Sequence, residues 1–339
     1  MGKSLPPARS FAGANVFGQH LPALIAREGE DAVRRFLEFF TAQIRNKNTR
    51  LAYARAVMQF CRWCEARNFT LELVEPITVA AYIEDLGKRR SKPTVKQHLA
   101  GIRMLFDWLV VGQIMPVNPA GSVRGPKYVT KRGKTPVLSA EQARKLLDSI
   151  PVVRRVQRNS VTYETPDVVG LRDRALIAVM VFSFARVSAV VGMRVEDYYQ
   201  NGKRSWIRLH EKGGKFHEVP AHHSAENYLD CYLHAAEIAT ESKTHIFRTA
   251  LGKAGLLTTL GMSRTDALRM IKRRARRAGL PASTCCHTFR ATGITAYLEN
   301  GGTIENAQAI AAHESPRTTK LYDRTQDNIT LDEVERIRI

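Results

Sequence analysis

From about residue 14 to 113, apolar positions recur every three or four residues, and no alternating run is long enough for a strand. That is the period of amphipathic helices. "NTRLAYARAVMQFCRWCEARN" predicts one helix, with Asn48 or Thr49 as its N-cap and Asn68 as its stop. "SKPTVKQHLAGIRMLFDWLVVGQ" predicts another: Val95, Leu99, Ile102, Phe106 and Leu109 form its core-facing stripe, while Lys92, Lys96 and Arg103 share a different one. Periodicity then stops. In "IMPVNPAGSVRGPKYVTKRGKTPV" Pro, Gly and basic residues take over, as in an exposed linker, and a domain boundary is expected there. "LSAEQARKLLDSI" restarts helix, with Ser139 as N-cap and Glu141 and Gln142 in the first turn.

The apolar run from Ala175 to Met193 predicts one buried helix, with Arg186 near its middle and Arg172, Asp173 and Arg174 just before it. "RSWIRLHEKGGKFHEVPA" is the one convincing β-hairpin, two short runs joined at a Gly-Gly turn, with Lys212 at its tip. From about Ala225 helices are expected to the end. One of them, "RTDALRMIKRRARRAGLP", carries Lys272, Arg273, Arg274, Arg276 and Arg277 and is ended by Gly279 and Pro281. The expected fold is mainly α with a small β-sheet. Its parts are a flexible N-terminus at 1–13, a helical domain at 14–115, a basic linker at 116–136, and an α+β domain at 137–339 that includes a tail at 326–339. A chain of 339 residues is long enough for two such cores.

Charge changes the picture. Lys and Arg number 52 against 32 Asp and Glu, a balance of +20 with a pI near 10.1, which points to a polyanion: nucleic acid first, a membrane surface second. The charges before and within the apolar run argue against a membrane span, and the N-terminus lacks the apolar stretch of a signal peptide. Cys61, Cys64, Cys231, Cys285 and Cys286 make no secreted disulfide framework, and the C-x-x-C at 61–64 reads as packed or idle thiols in a reducing cytosol. The Lys92, Lys96 and Arg103 stripe is either a solvated face or a phosphate-contacting one. Arg124, Lys127, Lys131, Arg132 and Lys134 suit a linker that follows a phosphate backbone, and the 272–277 run adds contacts indifferent to base sequence.

Candidate chemistry lies in the second domain. A guanidinium at Arg186, inside an apolar run, needs a partner: a carboxylate elsewhere in the fold or a ligand anion, for which phosphate is natural. His287 and Arg290, at i and i+3, share a helix face. His313 closes the next helix, Ser315 and Pro316 open another, and Tyr322 falls about 9 Å along it, as plain core or as a reactive phenol. Two Arg, one Lys, two His and one Tyr, without an acidic metal-binding cluster, suit metal-free phosphodiester chemistry. The guanidiniums stabilise a pentacoordinate transition state, the phenol attacks phosphorus, and a mobile Lys protonates the leaving 5′-oxygen.

With these residues in order, the chain resembles the tyrosine recombinases of the phage-integrase family over most of its length. The motifs are Arg186 in "FARVSAVVGM", Lys212 in "HEKGGKFHEVP", His287 and Arg290 in "HTFRATG", and His313 and Tyr322 in "AAHESPRTTKLYDR". The resemblance implies a SAM-like helical core-binding domain and a catalytic domain, closing on DNA as a C shape. It further implies double-stranded DNA with inverted-repeat half-sites as partner, a dimer per site and a homotetramer in synapsis, a Holliday junction, and 3′-phosphotyrosine links formed without cofactor or metal. A cytoplasmic, nucleoid-associated protein of a bacterium, phage or mobile element follows, and the tail is expected to dock on a neighbouring protomer. Two departures stand out, with a third, smaller one beside them. The family's Gly before the first Arg is replaced by Ser183 or Ala185, and its acidic residue three positions after that Arg by Ala189, while Ala312 takes the place of the Gly before the second His. Lys215 is a second candidate for the hairpin acid.

Three other readings remain in view. A type IB topoisomerase shares this chemistry, a non-catalytic DNA-binding regulator shares the charge, and a metalloenzyme using His222, His223, His287 and His313 would lack the usual Asp, Glu or Cys companions.

Overall fold

The computed structural model describes residues 21–129, 133, 135–158, 161–211, 216–252 and 254–323, and within them the apolar spacing before residue 113 folds as helices alone. The backbone divides into two units, Met1–Val129 and Thr130–Ile339. In the first, α1 (Ala23–Ala26) and α2 (Glu30–Glu38) lead through a π-helical turn at Phe39–Gln43 into α3 (Lys47–Glu65), α4 (Pro76–Arg89) and α5 (Lys92–Val111). Phe60 on α3 meets Tyr82 of α4 and Phe106 of α5 edge-on, with ring centroids 5.1 and 6.0 Å away, at the centre of a buried aromatic core. The Tyr82 hydroxyl, 3.0 Å from His98 Nδ1, has its polar tip satisfied inside that core.

The caps separate what spacing reveals from what geometry decides. Helix α3 is capped by Asn46, not by Asn48 or Thr49: the Asn46 side chain accepts from the backbone N–H of Asn48 at 3.0 Å and of Thr49 at 3.1 Å. Its stop is at Asn68, in the left-handed conformation at φ 58° that Asn tolerates. Cys61 and Cys64 lie buried and unbridged on α3, and burial pushes the Cys64 thiol up to about 12. The apolar stripe of α5 is buried as spacing requires. The expected exposed linker is not free from its start: Met115, Ala120 and Val123 are buried in this unit, and the Arg103 guanidinium donates to the Ala120 carbonyl at 3.0 Å and to that of Val123. Irregular chain can be buried when its carbonyls find such donors.

The second unit opens on α6 (Ala140–Asp148), where Ser139 and Gln142 form a reciprocal capping box. A hairpin follows, β1 (Val153–Arg158) and β2 (Val161–Pro166), then α7 (Val168–Phe182) and α8 (Val187–Gly192). Strands β3 (Tyr198–Asn201), β4 (Arg204–His210) and β5 (Phe216–Pro220) form an antiparallel sheet in that order. Next come α9 (His223–Ala236), the short hairpin β6 (Arg248–Ala250) and β7 (Leu257–Gly261), then α10 (Arg264–Arg277), α11 (Cys286–Glu299), α12 (Ile304–Ile310) and α13 (Pro316–Lys320). Buried α7 is the axis of the core and packs against α9 and α11. At the α11 crossing Gly293 is required: a Cβ there would sit 2.0 Å from the Val181 carbonyl oxygen.

The fold is mainly helical with small antiparallel sheets, as expected, but several elements differ from the reading of the sequence. The β4–β5 hairpin gains a third strand, β3. The β1–β2 hairpin carries Val153, Val156, Val161 and Tyr163 exposed, so neither strand has the one-sided alternation that pattern reading needs. Strands β6 and β7 interrupt the stretch expected to be helical from Ala225. The run Ala175–Met193 is two helices, not one, and its break matters for the site. Among the described residues no helix is long and apolar enough to cross a membrane. The tail at 326–339 lies outside the described residues.

Candidate active site

The break between α7 and α8 supplies the first side chain. The Ser183 hydroxyl turns back onto the Val179 carbonyl at 2.6 Å, Phe184 takes φ 53°, and Arg186 becomes the N-cap residue of α8. The left-handed residue is thus Phe184, two positions before the Arg, and not Ser183 or Ala185. A side chain there costs about 1–2 kcal/mol that a glycine would avoid.

Arg290, on α11 and 2% exposed, holds this strained loop in place. Its guanidinium donates to the Phe184 carbonyl and, at 2.6 Å, to the Ala311 carbonyl beyond α12. Ala312 follows in a second left-handed conformation, φ 46°, where the family's usual glycine would fit without strain. Burial, and then the neighbouring charge of Arg186, lower the Arg290 pKa to about 10, opposed by Tyr322 and Glu211.

His313, 6% exposed, has Nδ1 2.9 Å from the Thr319 hydroxyl, and its ring stacks on that of Tyr322 with centroids 5.7 Å apart. Burial first, and Arg290 and Arg186 after it, bring its pKa down to about 3, so the ring is neutral. His287 stands open to solvent in the first turn of α11, yet partial desolvation and the same two guanidiniums lower its pKa as well. Tyr322 does not lie along α13, which ends at Lys320; it sits two residues beyond. Its N–H donates to the Thr319 carbonyl at 2.9 Å and its carbonyl accepts from the Thr295 hydroxyl at 2.8 Å. The preceding Leu321 carbonyl accepts from the Gly133 N–H at 2.9 Å.

Arg186 is partnered by a carboxylate from elsewhere in the fold: its Nη1 is 2.6 Å from Oε2 of Glu211, at the end of β4. The Glu211 side chain is 7% exposed, and its Oε1 is buried without a hydrogen-bond partner. Lys212, which follows it, and Lys215 lie outside the described residues. On β5, His217 has Nε2 3.1 Å from the Ile310 carbonyl and Nδ1 buried without a partner; burial holds its pKa down, opposed by Ile310 and Glu211. Glu211, His217 and Thr319 went unread in the sequence. The one local signal was the position of Glu211 beside Lys212.

The cations singled out for DNA part company. Lys92 and Lys96 are exposed on α5, and Lys96, Arg103, Arg124 and Lys127 line a cavity of about 360 Å³ within the first unit. Arg103 has spent its guanidinium on carbonyls. Arg274 is not available to a phosphate backbone: it is 5% exposed and, together with Arg172, clamps the buried Asp173, with Nε at 2.9 Å. Arg273 is exposed and reaches Asp173 at 3.4 Å, half-buried Lys272 donates to the Ala282 carbonyl, and Lys131, Arg132 and Lys134 lie outside the described residues. His222, at the start of α9, stacks on Phe182 at 4.1 Å.

Known proteins place this arrangement. Residues 137–328 match the model of the phage integrase family, and residues 32–114 that of the phage integrase N-terminal SAM-like domain. The tyrosine recombinase XerC of Chlamydia caviae is 29% identical over 245 residues, covering 71% of this chain and 70% of that protein. The tyrosine recombinase XerD of Listeria monocytogenes is 25% identical over 305 residues, 86% of this chain and 93% of that one. Two solved structures share the fold at 16% identity. A XerH site-specific recombinase bound to difH substrate has a TM-score of 0.63 over 94% of this chain and 97% of its own. A lambda integrase tetramer bound to a Holliday junction has a TM-score of 0.61 over 92% and 85%. With a family match spanning more than half of its length, the chain belongs to the phage integrase family and is a tyrosine recombinase, an enzyme of site-specific DNA recombination.

Proposed function

We propose that Arg186, Lys212, His287, Arg290, His313 and Tyr322 form the catalytic set and cleave and rejoin DNA strands through a 3′-phosphotyrosine. Arg186 and Arg290 bind the non-bridging oxygens of the scissile phosphodiester and stabilise the charge that grows on them. Neutral His313, with Nδ1 engaged by Thr319, offers Nε2 to the same phosphate. Neutral His287 takes the phenolic proton as the Tyr322 oxygen bonds to phosphorus. The bond from phosphorus to the 5′-oxygen breaks, and that oxygen takes a proton from Lys212. Rejoining reverses each step on the incoming strand.

The observation that carries this reading is the stacking of Tyr322 on His313 beside the doubly anchored Arg290, with Arg186 close enough to lower the pKa of both His313 and Arg290. We further propose double-stranded DNA with inverted-repeat half-sites as the partner, a dimer per site joined as a tetramer through the tail at 326–339, a Holliday-junction intermediate and a cytoplasmic setting. The basic cavity lined by Lys96, Arg124 and Lys127 supports phosphate contacts on the first unit. To test the catalytic set, nicked duplexes are captured covalently on the full chain from a randomised pool. The wild-type chain accumulates adduct, while Tyr322→Phe gives none yet still shifts the captured duplex. Equal adduct yields from both would end the assignment.

A further inference from the structure

We propose that Glu211 is a positioning residue for the recombination reaction: by holding the Arg186 guanidinium through its carboxylate, it replaces from the β4–β5 hairpin the acidic group that position 189 lacks. The proposal rests on the reading that Arg186 binds the scissile phosphate.

The two guanidiniums of the site are anchored very differently. Arg290 is fixed by two backbone carbonyls. Arg186 has a side chain 36% exposed and, among the described residues, one ion-pair partner, Glu211. Long side chains held at a single point lose rotamer freedom only through that contact, so the contact decides where the head group points. Three residues beyond Arg186 on α8, Ala189 is buried and apolar and offers nothing. Among the described residues the carboxylate that reaches Arg186 therefore comes from a strand end that is close in space but 25 residues away in sequence.

Charge makes the same point. Before DNA binds, Arg186 and Arg290 repel each other, and the repulsion favours swinging the less anchored one away. The nearly buried Glu211 carboxylate opposes that, keeping Arg186 in the site. A merely structural ion pair would instead act on folding and leave the rate of the surviving chains alone.

The test uses the full chain, the captured nicked duplex and a two-by-two set of variants, Glu211→Gln, Arg186→Lys and both together. Rates of covalent adduct formation, gel-shift affinity and urea midpoints are measured for each. Glu211→Gln is expected to lower the rate about 10- to 100-fold, as loss of a group that orients a reactive one does, with affinity and midpoint unchanged. Glu211→Asp should recover part of that loss. Because Glu211 acts through Arg186, Glu211→Gln should cost less than about threefold once Arg186→Lys is present. An equal loss in both backgrounds, no loss in either, or a Glu211→Gln chain that no longer folds would overturn the proposal. An Arg186→Lys chain at the wild-type rate would instead overturn the assignment of Arg186 to the site, and the proposal with it.

Discussion

Two parts of the catalytic unit meet at one chemistry and are built by opposite means. On the α11–α13 side, Arg290, His313 and Thr319 are buried, and the backbone itself is bent through left-handed Phe184 and Ala312 to bring carbonyls to one guanidinium. On the hairpin side, Arg186 is half exposed and hangs from one carboxylate. The first is set by folding, at the cost of local strain. The second depends on a side-chain contact that a substitution or a shift of the strand end can undo. The candidate site thus combines a rigid half with an adjustable one, and the difference can be measured.

The sharpest contrast is between the two guanidiniums. Arg290→Ala should lower cleavage by roughly 10²-fold or more. It should also destabilise the chain by about 3 kcal/mol, because two carbonyls lose their donor inside the protein. Arg186→Ala should lower cleavage by a similar factor while destabilising the chain less than Arg290→Ala does, since its head group meets solvent and only the Glu211 carboxylate loses its partner. Equal stability losses from the two would erase the distinction.

Next in size is the acid sensitivity of the rigid side. An unfolded His titrates near 6.5, whereas His313 in the folded chain titrates near 3. Between those values the unfolded state binds the proton and the folded state does not, so the His313 contribution is present above pH 6.5 and is lost as pH falls toward 3. His98, His217, His222 and His287 are shifted in the same direction. His313→Asn should therefore flatten, without abolishing, the fall of the urea midpoint between pH 7 and pH 4.5. An unchanged slope would mean that the ring is not held neutral by burial.

How much of this was legible follows from distance along the chain. Arg186, His287, Arg290, His313 and Tyr322 carry chemistry in their side chains and their order, and these residues do converge. Glu211 could not be assigned to Arg186, because an acidic residue before a hairpin tip is indistinguishable from a solvated one until the strand end is placed. Arg274 looked like its exposed neighbours in a basic run, and only the fold brings Asp173, 101 residues away, beneath it. Left-handed Phe184 was hidden by its own identity, since a bulky residue argues against that conformation. The β1–β2 hairpin was illegible for the opposite reason, having no buried face to leave a period.

The smallest effect concerns the stored strain. Ala312→Gly should raise stability by about 1 kcal/mol, read as a higher urea midpoint, because glycine takes φ 46° freely. Cleavage should stay at the wild-type rate. A loss of stability would show that the turn after α12 is not strained in the folded chain.

Which atom joins the DNA decides the chemistry of the site. The wild-type adduct with the captured duplex can be digested with trypsin and nuclease, and the modified peptide sequenced by mass spectrometry. The result expected is a nucleotide phosphodiester on Tyr322, in the peptide that follows Lys320. A phosphodiester on any other residue, Tyr297 included, would contradict it.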